Sequence, residues 1–494
     1  MSKRIRWFGL GMIVLFCALL LQLDNLQGLK ASQYQKAGRN PVVLENEYSK
    51  PRGRIVTSDG VTVANSVAAP ANATYKFVRV YPTGSLFSQI VGFTSYNYGT
   101  NTGVEAEYND LLTYHTQPVT NLGELFDTEE GTDTVVLTVS DELQSLAQKA
   151  LGSKDGAVVA LNPANGAVLA MYSNPSFNPN PLASPSLDAE EQGWKSYNAT
   201  DAHGYTNGVP LSFQKAIPPG STFKVITTAA AFDHKKALTT KSYPIVPGWV
   251  PPGAGGHVLH NDSGQSCGGT IQIMLPESCD TGYAMLGVDL GAVNLSTEAG
   301  AFGFGARPPI DLPTTTASVS NFPSGVSLLQ NTPFLAYSAI GQGNVTATPL
   351  EMAMVASAIA DNGVIMTPHV MSQIQDPKDN VVESYKPTQW IRATSSQTAQ
   401  SISGLMQAVA TSGTAAGIFP ASWDVAAKTG TAQDGVGNTS TDDWMIAFAP
   451  ASHPVIAIAV VVPHQVVSAT GATVAGPIVK TVLSGLSGIF GGAS

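Results

Sequence analysis

An α+β fold is what this sequence predicts, with one antiparallel sheet assembled from strands at both ends of a long C-terminal stretch. Strand-like alternation clusters at 134–139, 157–162 and 167–172, and returns at 424–428, 444–449 and 455–462. Between them, from 223 to about 406, helical periodicity dominates. Non-neighbouring strands that flank a helical middle close into a sheet with helices packed on it.

The elements follow in chain order. Lys3, Arg4 and Arg6 precede an apolar run over 7–23, with no small-residue cleavage pattern after it. That reads as an uncleaved membrane anchor with 1–6 on the cytoplasmic side and the rest of the chain outside, since positive charge stays inside. Residues 24–132 are rich in turn residues and read as a separate N-terminal unit of mixed structure. Within it, 51–64 predicts two short strands around Ser58-Asp59-Gly60. From 133 onward the main domain begins. After the strand 134–139, Ser140-Asp141-Glu142 caps a helix that runs to about Leu151. Pro163-Ala164-Asn165-Gly166 joins 157–162 and 167–172 as a hairpin. Helices with loops such as 242–270 fill the middle, and the late strands complete the sheet.

Composition narrows the class. A chain of 494 residues exceeds one ordinary core. With 43% hydrophobic and 12% charged residues it has the apolar surface to fold. A net charge of −10 without a basic cluster beyond the N-terminus speaks against a nucleic-acid partner. Of 3 cysteines, Cys17 lies in the apolar run. Cys267 and Cys279 lie outside, where either a disulfide or two buried thiols is compatible with the sequence. His257 and His260 lack a third ligand and an intervening glutamate, so no metal or other cofactor is expected.

The chemistry concentrates in a few segments. Ser221-Thr222-Phe223-Lys224 places a hydroxyl and an amine on one helix face, at i and i+3. An amine so placed serves as base for the serine without a histidine. A Ser-x-x-Lys arises about once by chance in a chain of this length, and Ser212-Phe213-Gln214-Lys215 is a second copy. Context separates them. Pro218-Pro219-Gly220 turns the chain just before Ser221, and the apolar run 225–232 supplies a helix behind it. Ser221 therefore sits at a helix N-terminus, where free N–H groups stabilise developing negative charge. Lys428-Thr429-Gly430-Thr431 closes a strand with a charge, hydroxyls and a glycine that admits a peptide backbone. Ser278-Cys279-Asp280 lies between the two.

In that order these motifs resemble the penicillin-recognising serine transpeptidases. Flanking segments extend the resemblance over most of 50–465. They include Gly156-Ala157-Val158-Val159-Ala160, Gly341-Gln342-Gly343, Thr348-Pro349-Leu350-Glu351 and Ser412-Gly413-Thr414-Ala415. Arg52-Gly53-Arg54-Ile55 and Gly103-Val104-Glu105 are similar to the N-terminal pedestal of class B penicillin-binding proteins.

The resemblance implies a penicillin-binding transpeptidase fold on a pedestal, cross-linking peptidoglycan stem peptides and acylated by β-lactams. It makes Ser221 the nucleophile, Lys224 the base, Ser278 a proton relay and Lys428 a positive charge. Thr429, Gly430 and Thr431 then bind substrate, with the N–H groups of Ser221 and Thr431 as the oxyanion hole. The stretch ahead of 133 is too short for a glycosyltransferase domain, so a separate membrane glycan polymerase is the implied partner. A carboxypeptidase differs only in using water for the acceptor amine, and a scaffold with a disabled site is the non-enzyme alternative. One residue departs from the pattern. The family usually has Asn where Asp280 stands, and an ionised carboxylate cannot donate a hydrogen bond to substrate. Paired with Lys224 or Lys428, Asp280 raises that lysine's pKa and weakens a base; alternatively it merely accepts a lysine N–H and leaves turnover intact.

Overall fold

The computed structural model describes residues 3–25, 48–71, 73, 75–116, 130–313, 317–323, 326–434 and 439–490. Residues 1–2 of the predicted tail, and 26–47 and 117–129 of the predicted N-terminal unit, lie outside the described residues.

The apolar N-terminal run forms the helix Lys3–Asp24. Its Arg6–Leu23 window has a mean hydropathy of 1.9 and none of it is buried, so this one helix is long and apolar enough to cross a membrane.

The main domain is built on a five-stranded antiparallel sheet. Its order is Ala426–Asp434, Ser440–Ala449, Ile456–Val466, Gly156–Leu161 and Val168–Asn174. The strands from both sequence ends thus meet, Ile456–Val466 pairing with Gly156–Leu161. Both of these strands are buried on successive residues, which explains their continuous Ala, Val and Ile runs. Helices cover both faces. Pro349–Ala360, buried along nearly its whole length, packs on one. Asp141–Leu151 and Ala475–Ser484 cover the other. Each fully buried Leu, Met or Val on Pro349–Ala360 contributes roughly 1.5–3 kcal/mol.

A second, six-stranded mixed sheet joins distant parts of the chain. Its order is Val381–Ser384, Met371–Gln375, Thr134–Leu137, Ile55–Val56, Thr62–Ala68 and Phe77–Val80. The segment 134–139 therefore pairs with the N-terminal hairpin, parallel to Ile55–Val56, not with the main sheet.

The helical middle needs correction. Val364–Met366, Met371–Gln375, Val381–Ser384 and Gln389–Arg392 are strands inside 223–406. Asn362 and Gly363 take φ of 52° and 88°, which ends the preceding helix. Asp376 Oδ1 then accepts from the N–H groups of Lys378 and Asn380 and makes the turn between the second and third of these strands.

In the N-terminal unit, fully buried Glu105 accepts from Arg52 Nε at 2.6 Å and Arg79 Nε at 2.7 Å. Burial pushes the Glu105 carboxyl up, but Arg79 and Arg52 outweigh it and hold it below the usual carboxylate range. Arg52 and Glu105, one from each of the Arg52-Gly53-Arg54 and Gly103-Val104-Glu105 segments, thus join Arg79 in one buried ion network.

Candidate active site

The nucleophile turn is held from three directions. Trp444 Nε1 donates to the Pro218 carbonyl at 2.8 Å. The Gly220 N–H donates to the Gly341 carbonyl at 3.0 Å. Thr222 Oγ1 donates to the Pro219 carbonyl at 2.7 Å. Gly220 has φ of 52° and lies against the backbone of Thr431 and Ala432, where a Cβ would meet atoms at 3.0 Å. Only glycine takes that conformation and that proximity without strain. Gly220–Phe223 then forms a 3-10 turn that runs into the buried helix Lys224–His234. Ser221 so projects from a rigid corner with 9% of its surface exposed. Ser212, the competing copy, is buried on the short helix Leu211–Gln214 and bonded to Ser173.

Ser221, Lys224, Ser278, Asp280 and Lys428 come together. Lys224 Nζ donates to Asp280 Oδ1 at 2.7 Å, to the Ser278 carbonyl at 2.6 Å and to Ser278 Oγ at 3.4 Å. Lys428 Nζ donates to Ser278 Oγ and to the Thr429 carbonyl, each at 2.8 Å. The Ser221 hydroxyl reaches Asp280 Oδ1 at 3.5 Å. Ser278 Oγ thus accepts from both lysines, and Asp280 Oδ1 lies between the Ser221 hydroxyl and the Lys224 amine.

Both lysines are fully buried. Burial holds Lys224 below its ordinary pKa even though Asp280 acts in the opposite direction. Lys428 lies further down, because burial and then the neighbouring Lys224 charge both oppose its protonation. Of the two expected pairings Asp280 makes the one with Lys224, and desolvation outweighs it.

The middle motif is anchored from outside. Cys267 and Cys279 are joined by a disulfide, with Cα atoms 5.7 Å apart. It ties the strand Cys267–Gly269 to the start of the helix Asp280–Leu290. Asn261 Oδ1 accepts from the Thr281 N–H at 2.9 Å. Ser278 itself has φ of 59°, a left-handed conformation that these ties hold in place. On the other wall, Thr429 Oγ1 bonds Thr414 Oγ1 at 2.6 Å, and Thr431 Oγ1 accepts from the Gly471 N–H at 3.2 Å. Gly430 lies against Thr222 and Trp444, close enough that any side chain would have to displace them. His257 and His260 stand apart from this cluster, in and beside the short strand Leu259–His260. Sequence reasoning gave no site role to Asn261, Thr414, Trp444 or Gly471. Their partners lie between 15 and 226 positions away, so no local signal marks them.

Comparison with known proteins shows the family. Residues 156–484 match the model of the penicillin binding protein transpeptidase domain, and 52–134 that of the penicillin binding protein A dimerisation domain. Peptidoglycan D,D-transpeptidase PbpA of Mycobacterium tuberculosis is 33% identical over 501 residues, covering 98% of both chains. Stage V sporulation protein D of Bacillus subtilis is 29% identical over 82% of this chain and 63% of its own. The ceftriaxone acyl-enzyme of penicillin-binding protein A from M. tuberculosis superposes with a TM-score of 0.78 at 32% identity, covering 89% of this chain and 99% of that one. Its penicillin G acyl-enzyme gives 0.77 at 31%.

Proposed function

The chain belongs to the penicillin-binding transpeptidase family, class B, and on that premise we propose how its residues carry the reaction. The activity is serine D,D-transpeptidation of peptidoglycan stem peptides through an acyl-enzyme, which β-lactams also form in the substrate's place. Ser221 Oγ attacks the carbonyl of the penultimate D-Ala, and its proton passes to neutral Lys224. The N–H groups of Ser221 and Thr431 hold the oxyanion of the tetrahedral intermediate. Ser278, bonded to both lysines, passes a proton to the departing D-Ala amine. The amine of a second stem peptide then attacks the ester and completes the cross-link. With Lys224 neutral, one of the two causes that oppose protonation of Lys428 is gone, and Lys428 supplies positive charge; Thr429 and Thr431 hold the terminal carboxylate, and Gly430 lets the substrate backbone lie along the edge strand.

One observation carries these assignments: a serine hydroxyl linked through Asp280 to Lys224, which Ser278 in turn bridges to Lys428, with both lysines buried and held below their ordinary pKa. Fluorescent penicillin should label the full chain in detergent and map to the Ser221 peptide by mass spectrometry. Ser221→Ala should abolish the label; persistence, or mapping to another serine, would overturn the assignment. A donor and an acceptor peptide together should give cross-linked product, whereas release of D-Ala alone would make the protein a carboxypeptidase.

The basic residues before Arg6–Leu23 support an anchor with the N-terminus cytoplasmic and the catalytic domain outside. Residues 24–132 form the pedestal and 133–494 the transpeptidase domain in this reading. Neither matched domain polymerises glycan, so a membrane glycan polymerase is the proposed partner, met through the anchor and the pedestal.

A further inference from the structure

Beside Asp280, the rim of the cleft carries a second carboxylate that the proposed reaction leaves unused. Buried Asn261 contacts the residues on both sides of Asp280: its Oδ1 accepts from the Thr281 N–H at 2.9 Å and lies 3.8 Å from Cys279 Sγ. Its Nδ2 donates to the carbonyls of Val246 and Gln265 at 2.7 and 2.8 Å. The short turn Asp262–Gly264 is thereby fixed to the 279–281 segment. Asp262 follows Asn261 at once and is exposed. Its carboxylate has no hydrogen bond or ion pair among the described residues.

The direction in which Asp262 leans follows from the two groups its charge reaches. On one wall, burial holds Lys224 down while Asp280 and Asp262 both favour its protonated form. On the other, burial pushes Asp443 up to about 7, and the Asp262 charge adds to the rise. Asp443 is the cross-strand partner of Thr431. A carboxylate that acts on both walls overhangs the space between Ser278 and Thr431.

The charges on the donor peptide are already matched in the reaction proposed above. Its carboxylate meets Thr429, Thr431 and Lys428, and its departing amine meets Ser278. The acceptor amine is left over. A free aliphatic amine is protonated at neutral pH. Microscopic reversibility brings it in where the D-Ala amine leaves, on the Ser278 side of Ser221.

We propose that Asp262 selects the acceptor, its carboxylate holding the ammonium of the second stem peptide at the cleft mouth before it attacks the Ser221 ester. This role rests on the transpeptidase reading. Asp280 is less suited to it, being already paired with Lys224. The held ammonium gives one proton to solvent and attacks as the amine. The C–N bond forms, the ester C–O bond breaks, and a second N–H proton passes through Ser278 and Lys224 to Ser221 Oγ. Water gains nothing from the Asp262 charge, so the residue tilts the acyl-enzyme toward cross-linking and away from hydrolysis.

The partition of the acyl-enzyme tests this. The full chain in detergent receives a peptide ending in D-Ala-D-Ala, with either glycinamide or hydroxylamine as acceptor at neutral pH. Glycinamide is then largely an ammonium, and hydroxylamine is neutral. Asp262→Asn should lower the ratio of aminolysis to hydrolysis about threefold to fivefold with glycinamide, with the hydroxylamine ratio unmoved. Asp262→Glu should keep the glycinamide ratio of the parent. Both acceptors depend on the same Lys224, so a change in the base alone moves the two ratios together. An unchanged glycinamide ratio in Asp262→Asn, or an equal fall with both acceptors, would overturn the role of Asp262 and leave the transpeptidase reading standing. Hydrolysis without aminolysis by either acceptor in the parent would overturn the transpeptidase reading, and this role with it.

Discussion

At the scale of single residues, the reactivity of Ser221 turns on what Asp280 does to Lys224. A base must be neutral to take the serine proton, and an ionised carboxylate at 2.7 Å favours the charged amine. Burial acts the other way and prevails. Replacing Asp280 by the isosteric amide removes only the interaction that favours protonation, so the Lys224 pKa falls further. The acid limb of the acylation profile then moves to lower pH. On that limb Asp280→Asn should acylate with penicillin several-fold to about tenfold faster, with little change on the plateau. Stopped-flow acylation across pH decides it, and an unmoved limb would mean that Asp280 only accepts a hydrogen bond. The identity of these residues is legible in the amino-acid sequence, because Ser221, Lys224 and Lys428 sit in segments whose turn and strand chemistry is local. Which lysine Asp280 selects is not legible there. It depends on Cys279 being tied to Cys267 and on Asn261 holding Thr281, contacts that no periodicity records.

Among the elements, the nucleophile corner depends on a glycine far downstream. Gly341 has φ of +75°, and a Cβ there would overlap the Gly220 carbonyl oxygen and press on Phe223. Gly341→Ala should therefore move the turn that carries Ser221. Acylation by penicillin should fall by one or more orders of magnitude, about what an ångström-scale displacement of a reacting group costs. The melting temperature should fall as well, from left-handed strain on a residue with a side chain. Normal acylation in a folded Gly341→Ala protein would show that the corner is held by Trp444 and Thr222 alone. The main sheet is readable because its strands alternate or run continuously apolar with a proline or Asn-Gly turn beside them. The strands within 364–392 are hidden for a physical reason. Val381–Ser384 is exposed throughout, and Met371–Gln375 exists by pairing with Thr134–Leu137, so neither carries its own pattern.

Across the whole molecule, the mixed sheet makes two sequence-distant units one mechanical body. Strands from 371–384 lie deep within the transpeptidase match, yet they are bonded through Thr134–Leu137 to Ile55–Val56 of the dimerisation match. Neither unit can lose its part of the sheet without exposing an unpaired strand edge in the other. The N-terminal end of that sheet is pinned by Glu105 between Arg52 and Arg79, all three side chains buried. Glu105→Gln leaves two guanidinium groups buried without their counter-charge, which should cost about 3–5 kcal/mol. If the sheet couples the units, this loss is felt at Ser221, far from the substitution. The parent should unfold in one calorimetric transition, and fluorescent-penicillin labelling should disappear over the same temperature range. Glu105→Gln should shift both downward together. Two resolved transitions, with labelling that survives the first, would show instead that the transpeptidase sheet holds its active site without the N-terminal unit.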